Sequence, residues 1–439
     1  MSKLFIKASP ARLFIKCALP SIVSMAFISF YYVIDGIFIG KYLGSDALAA
    51  FGLIIPFVVM SFALADMIAL GSAVQISFKL SLGKIKLARG IFTSCIVLIF
   101  AISCVVGLLE FFLAPFLIAN LDTSDEIKAL CKESMQIFAI FAPFTMLSFA
   151  LDNYLRICAK NSYAMMINIL IALCNIFFDY LFIVELELGL KGAALATCLG
   201  LMIGGILGIA PFLFSKLELK FTGLFLPKKL LKNIIFNGSS EFFNNVSGSL
   251  YAVFANLVLL ELAGAKAVAA FSLISYIDNF INALIIAIGD GLQAALSFNY
   301  ARKNLARLKA IIKMMFFIAS ILCVVAVIML TNFSEFFVSF FVMKEDSEFL
   351  KFSAFALLLF AFNYLFSWFN VLTGSILTAF NQPKYSLILS SLQNLIIPLC
   401  FLLLLPLFLS VNGVWLAPLM SEICVLFLAI FLLRKILKF

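Results

Sequence analysis

Twelve times along this chain a run of roughly 20 or more apolar residues recurs, the length a helix needs to cross a hydrocarbon core of about 30 Å. The approximate cores are 13–39, 47–78, 91–119, 134–157, 162–184, 193–214, 233–261, 267–299, 311–331, 352–380, 385–409 and 412–433. With 65% hydrophobic and 12% charged residues, the 439-residue chain cannot be a water-soluble globule. It reads as an all-α polytopic membrane protein of twelve transmembrane helices. Several runs exceed what a straight span needs, so tilt or kinks are expected. The start, MSKLFIKASPARLFIK, is basic and then apolar like a secretory signal, but its apolar run is too long and no A-x-A site follows. An uncleaved first helix is the expectation. The ten cysteines are scattered singly, without a C-x-x-C pair, as small core hydrophobes. No histidine is present, so proton chemistry falls to carboxylates.

The net charge of +9 is distributed by topology. With the N-terminus inside, alternate inter-helix segments hold 24 of the 31 Lys and Arg. That bias puts both termini in the cytoplasm and argues against a nucleic-acid partner.

The chain also resembles itself at about half its length. LGSDALAAFGL (43–53) returns as AGAKAVAAFSL (263–273), and Gly44 matches Gly264. Gly71, Gln75 and Arg89 match Gly289, Gln293 and Arg307; Ala159 and Asn161 match Ala379 and Asn381. Each match falls at the same place in the helix order. Six helices per half give both halves the same polarity, hence parallel repeats about an axis along the membrane normal with a cavity between them. The expected division is a six-helix bundle over 1–215, a basic cytoplasmic linker over 216–232 and a second six-helix bundle over 233–439.

Carboxylates inside spans are costly, about 2.5–3.5 kcal/mol even on the mild insertion scale, so they normally face water or a partner. Asp35, in FYYVIDGIFIG, lies six residues before Lys41; Asp179 lies six before Glu185; Thr197 lies six beyond Lys191. At 1.5 Å per residue all three sit about 9 Å below the outer surface. Asn175 is one turn inward of Asp179 on the same face. These four residues can converge in the outer half of the first bundle. They could glue neighbouring helices by hydrogen bonds. Alternatively, two close carboxyls can share a proton and titrate as a pair, or join the Asn175 carbonyl and Thr197 hydroxyl as hard oxygen ligands for Na⁺. The second half has about Ala255 and Leu399 where Asp35 and Asp179 stand, which favours a dedicated site. The other membrane acids are Glu241, Asp278, Asp290, Glu422 and Asp66. Glu241, Asp278 and Asp290 are candidates to line the cavity and attract cationic substrate, against the alternative of bonds to residues such as Asn244 and Asn282. Pro20 removes one backbone bond from the first helix, either as a static kink or as a flex point.

Over nearly its whole length the chain resembles the multidrug and toxic compound extrusion (MATE) family of secondary transporters. The resemblance rests on ALPSIVSMAFISFYYVIDGIFIGKYLGSDALAAFGL, GSAVQISFKLSLGKIKLAR, NIFFDYLFI with LKGAALAT, SSEFFNNVSGSL and GLQAALSFNYARKN. One departure is Ala301, where the family more often has glycine. The resemblance implies two six-helix bundles forming a V around a cavity, and export of amphipathic, often cationic compounds driven by inward flow of H⁺ or Na⁺. It places the coupling ion of many members at the positions of Asp35, Asn175, Asp179 and Thr197, and also points at Asp152 and Asn153, which lie nearer the cytoplasm by depth.

Two other functions compete. A flippase for lipid-linked precursors, of related fold, would need arginine in the cavity for an anionic pyrophosphate, whereas the Lys and Arg here lie at or near helix ends. An intramembrane aspartyl protease is prompted by FFDY (177–180) and AIGDG (287–291), but those aspartates fall on different halves at different depths. The expectation is therefore an antiporter and not an enzyme, acting as a monomer in the bacterial cytoplasmic (inner) membrane. It would need no cofactor beyond the coupling ion H⁺ or Na⁺. Its partners would be small amphipathic molecules and the lipid bilayer.

Overall fold

The computed structural model describes residues 2–119, 124–214, 217–339 and 347–437. Twelve spans follow in order: α1 (Pro10–Leu43), α2 (Ala50–Ser81), α3 (Ile85–Phe116), α4 (Asp125–Ile157), α5 (Asn161–Glu185) and α6 (Leu190–Phe214). Then come α7 (Lys228–Gly264), α8 (Lys266–Ala301), α9 (Leu305–Asn332), α10 (Ser347–Ala361 with Tyr364–Ala379), α11 (Pro383–Leu409) and α12 (Val411–Ile436). Each apolar run of the sequence is one span. The chain is a multi-pass membrane protein, and among the described residues there is no strand.

Regularity fails where the sequence gives a local reason. The two parts of α10 bend by 50° because Asn363 turns its amide onto the Phe360 carbonyl at 2.7 Å, a short polar side chain competing with the helical bond. Pro20 lies inside the continuous helix α1, directly after a π-helical turn over Phe14–Ala18, and the wider turn takes up the backbone bond that the proline cannot make.

The internal repeat is visible in the backbone. The α1–α2 turn passes through Gly44 with φ 84° and ψ −174°, and the α7–α8 turn through Gly264 with φ 69° and ψ −167°. Only glycine adopts that conformation readily, which is why both repeats keep it there.

Each half has its own hydrophobic core, yet each core borrows from the other half's lead-in. Phe5, Leu13, Phe14, Cys17 and Ala18 pack in the core of α7–α12. Conversely, Leu219 of the linker packs in a core built from α2–α6. Polar clamps repeat the exchange. Arg89 Nε donates to the Glu218 carbonyl at 2.8 Å, and its repeat mate Arg307 Nε donates to the Phe5 carbonyl at 2.7 Å. Aromatic rings do likewise, with centroids 5.2 Å apart for Phe92 and Phe221 and 5.7 Å for Phe5 and Phe298.

The halves also close directly on one another at their basic ends. A Cβ on Gly71 would lie 2.1 Å from the Ile234 carbonyl oxygen, and one on Gly238 would lie 1.8 Å from that of Met67. No side chain fits at either position, so α2 and α7 touch backbone to backbone. Gln75 Nε2 donates to Asn381 Oδ1 at 2.8 Å and Arg302 Nε to the Ser81 carbonyl at 3.0 Å, sealing the same end.

Candidate functional site

Small residues on α6 decide how close α5 can come. A Cβ on Gly200 would stand 3.3 Å from the Ile171 carbonyl oxygen, and one on Gly192 would stand 3.0 Å from Phe182 Cβ. Between these contacts Thr197 faces α5, where its hydroxyl accepts from Asn175 Nδ2 at 3.2 Å. One turn outward on α5 is Asp179, fully buried, and Asp35 of α1 is close enough to interact electrostatically with it. The four residues inferred from depth thus stand together. Asp35, Asn175 and Asp179 are at most 1% exposed and Thr197 is 8% exposed.

The site lacks donors. Asp35 Oδ1, both carboxyl oxygens of Asp179 and Asn175 Oδ1 are all buried without a hydrogen-bond partner. Four orphaned acceptors cost several kcal/mol together unless a proton or cation lies among them. Two carboxylates, an amide oxygen and a hydroxyl form a hard-oxygen donor set. Among the described residues no group of three or more His, Cys, Asp and Glu side chains could hold a metal ion.

Backbone irregularity flanks both acids. Beyond Asp35, α1 passes into a π-helical turn at Ile39–Leu43; α5 does so directly after Asp179, at Tyr180–Glu185. Such turns are rare and cluster at functional sites. Sequence periodicity does not reveal them. Nor does it reveal Tyr31, buried at 2% exposure one turn inward of Asp35, stacked on Tyr32 with centroids 4.5 Å apart and electrostatically coupled to both acids.

Asp152 and Asn153 do not join this site. Asp152 accepts from Arg156 Nε at 2.7 Å and from Asn168 Nδ2 at 3.0 Å, while Asn153 Nδ2 donates to the Phe149 carbonyl at 3.3 Å. Asn168 lies seven residues, about 10 Å, inward of Asn175. Helix depth separates the two groups. Arg156 counts as a surface charge by sequence, but it is 5% exposed, bonded also to Ser21 Oγ of α1, and near Asp290 of α8.

The second-half acids fall into two groups. Asp290 and Glu241 interact electrostatically with each other and with Asp66, half-buried where the halves meet. Asp278 lies elsewhere, accepting from Tyr364 Oη and Asn282 Nδ2, each at 2.8 Å. Glu422 accepts from Asn370 Nδ2 at 2.6 Å and Gln393 Nε2 at 3.2 Å. Asp179 and Asp290 have different neighbours and make no dyad. The sequence reading passes over one further membrane acid, Glu110 of α3, whose carboxyl meets Ser61 Oγ of α2.

Fold and site together define a duplicated, all-helical, twelve-span membrane protein with a donor-poor carboxylate site confined to one bundle. The MatE family model matches residues 20–181 and again 242–402, once in each half, and the chain belongs to that family. It is 22% identical over 423 residues to the multidrug export protein MepA of Staphylococcus aureus (strain MSSA476), covering 95% of this chain and 92% of that one. It is also 22% identical over 434 residues to MepA of Staphylococcus saprophyticus, covering 98% and 95%. Among solved structures, MATE in complex with MaL6 superposes with a TM-score of 0.94 at 19% identity, over 99% of this chain and 98% of that one. An outward-facing multidrug resistance MATE transporter of the MOP superfamily gives 0.92 at 20% identity, over 99% and 97%.

Proposed function

We propose that this protein is a secondary antiporter that exports amphipathic, cationic drug-like compounds in exchange for H⁺ or Na⁺ entering at Asp35 and Asp179. One observation carries the reading: four oxygens of Asp35, Asn175 and Asp179 are buried with no hydrogen-bond donor among the described residues, and the two acids are close enough to repel each other. An arrivng positive ion or proton relieves that repulsion; its departure restores it. The site therefore favours different packings of α1 and α5 when loaded and empty, and the adjoining π-helical turns supply bonds that can re-pair. Inward movement of each positive ion gains up to about 2.3 kcal/mol per 100 mV of membrane potential, which drives cargo outward. Both termini lie in the cytoplasm in this scheme, in a bacterial inner membrane. The relatives' names, as multidrug export proteins, agree with the cargo class.

Cationic cargo is supported by the acids Asp66, Glu241 and Asp290 where the halves meet. A pyrophosphate-bearing lipid would need a free buried arginine. Among the described residues Arg156 is the only Lys or Arg that is buried, and Asp152 already holds it. The test is dye efflux from cells lacking other pumps, with proton and sodium gradients collapsed separately. One of the two collapses is expected to stop efflux, and the D35N/D179N double variant to be inactive at normal expression. Full efflux by that variant would overturn the ion-site assignment; failure to move any cationic dye would overturn the cargo.

A further inference from the structure

Glu110 is the acid that neither the coupling site nor the meeting face of the halves absorbs. It lies nine residues before Ala119, where the α3 helix ends, hence about 14 Å in from that end. It is half-buried, on the face of α3 whose Ser103, Gly107 and Ala114 are buried against the bundle, while Leu108, Leu109, Phe112 and Leu113 are exposed where hydrocarbon surrounds the protein. An ionised carboxylate there needs obligate donors. Asp152, Asp278 and Glu422 each have two, from arginine, amide or phenol groups. Among the described residues Glu110 meets only a hydroxyl, that of Ser61.

Counting protons points to the carboxyl as the donor. Ser61 Oγ is in hydrogen-bond contact with two acceptors, the Glu110 carboxyl and, at 3.0 Å, the Phe57 carbonyl. A serine hydroxyl has one proton to give. If Glu110 is ionised, one of the two contacts is left without a hydrogen. If Glu110 carries the proton, it donates to Ser61 Oγ, and Ser61 donates to the Phe57 carbonyl. Both contacts are then satisfied, and no uncompensated charge lies within the span. Of the titratable groups on the packed helices, the Cys198 thiol of α6, next in sequence to Thr197, is within electrostatic reach; on α4, Glu133 pairs with Lys191 of α6, Asp152 pairs with Arg156, and Cys131 donates to the Ala50 carbonyl at 3.5 Å. The acid on α2 itself, Asp66, interacts with Asp290 and not with Glu110.

We propose that Glu110 is a second proton-binding site of the first bundle, and that its proton makes the Ser61 bond tying α2 to α3. This goes beyond the antiport reading and does not depend on it. The test is infrared spectroscopy of the full-length protein in lipid, reading the carbonyl stretch of protonated carboxyls at neutral pH. One component of the band is expected to be shared by the wild type and D35N/D179N and to be missing in E110Q, whose amide keeps a donor for Ser61. In S61A that component should keep its area and shift in frequency, which carries the test should E110Q fail to fold. An E110Q spectrum superimposable on the wild type, or an unmoved band in S61A, overturns the proposal. Failure of the antiport scheme leaves these spectra unchanged, so the two readings fail separately.

Discussion

Asp179 in the first half and Glu422 in the second are both acids deep in a spanning helix, but their surroundings differ. Both carboxyl oxygens of Asp179 are buried without a partner. Glu422 is held by Asn370 on α10 and Gln393 on α11, side chains whose amide groups can donate to it. Asp278 has a phenol and an amide in the same role. An acid supplied with donors is stable as it stands and joins helices; an acid denied them is stable only when something else arrives. The two acids are not repeat mates, since about Leu399 stands where Asp179 would recur, and the donors rather than the acids distinguish a joint from a site.

The comparison can be broken at several points. The largest effect expected is on transport: D179N should abolish gradient-driven efflux, whereas E422Q, whose amide oxygen still accepts from Asn370, should stay near wild-type activity in the same assay. Equal loss in both would erase the distinction. Next comes Arg156, which compensates Asp152 in a buried pair. R156A leaves that carboxylate uncompensated and should cost about 3–5 kcal/mol, read as a large drop in thermal unfolding midpoint, with R156A/D152N recovering much of it. Smaller is G238A, where a methyl group must displace the Met67 carbonyl of α2; overpacking of this kind costs about 1–3 kcal/mol. If its melting point equals the wild type, the backbone contact between the halves is not tight. The smallest effect is expected for R89A and R307A. These part-exposed clamps on the exchanged lead-ins should each cost about 1 kcal/mol, and by a similar amount if the repeat is mechanically symmetric.

Much of this was readable before any coordinates. Span number follows from a length rule, because unsatisfied backbone in hydrocarbon leaves a crossing segment little choice but helix. Depth is equally legible, since rise per residue converts a distance from a surface charge into a position. That is how Asp35, Asn175, Asp179 and Thr197 could be grouped. The resemblance also points at Asp152, which depth already sets nearer the cytoplasm; it gives a position but not its neighbours, and the partner Arg156 looks like an ordinary end-of-helix charge. Glu110 was overlooked for a related reason: one acid in a long apolar run carries no mark of what faces it.

By itself, then, the sequence determined the helices, their repeat and the depth of each acid, all quantities that depend on composition and on counting along one chain. Tertiary structure alone decided the rest. It exchanged the lead-in segments between the halves, turned Asn363 back to break α10, and placed π-helical turns beyond Asp35 and Asp179. Above all it settled which acids received donors. A hydrogen bond is a relation between residues far apart in sequence, Asn370 with Glu422 or Ser61 with Glu110, and no local pattern encodes the partner.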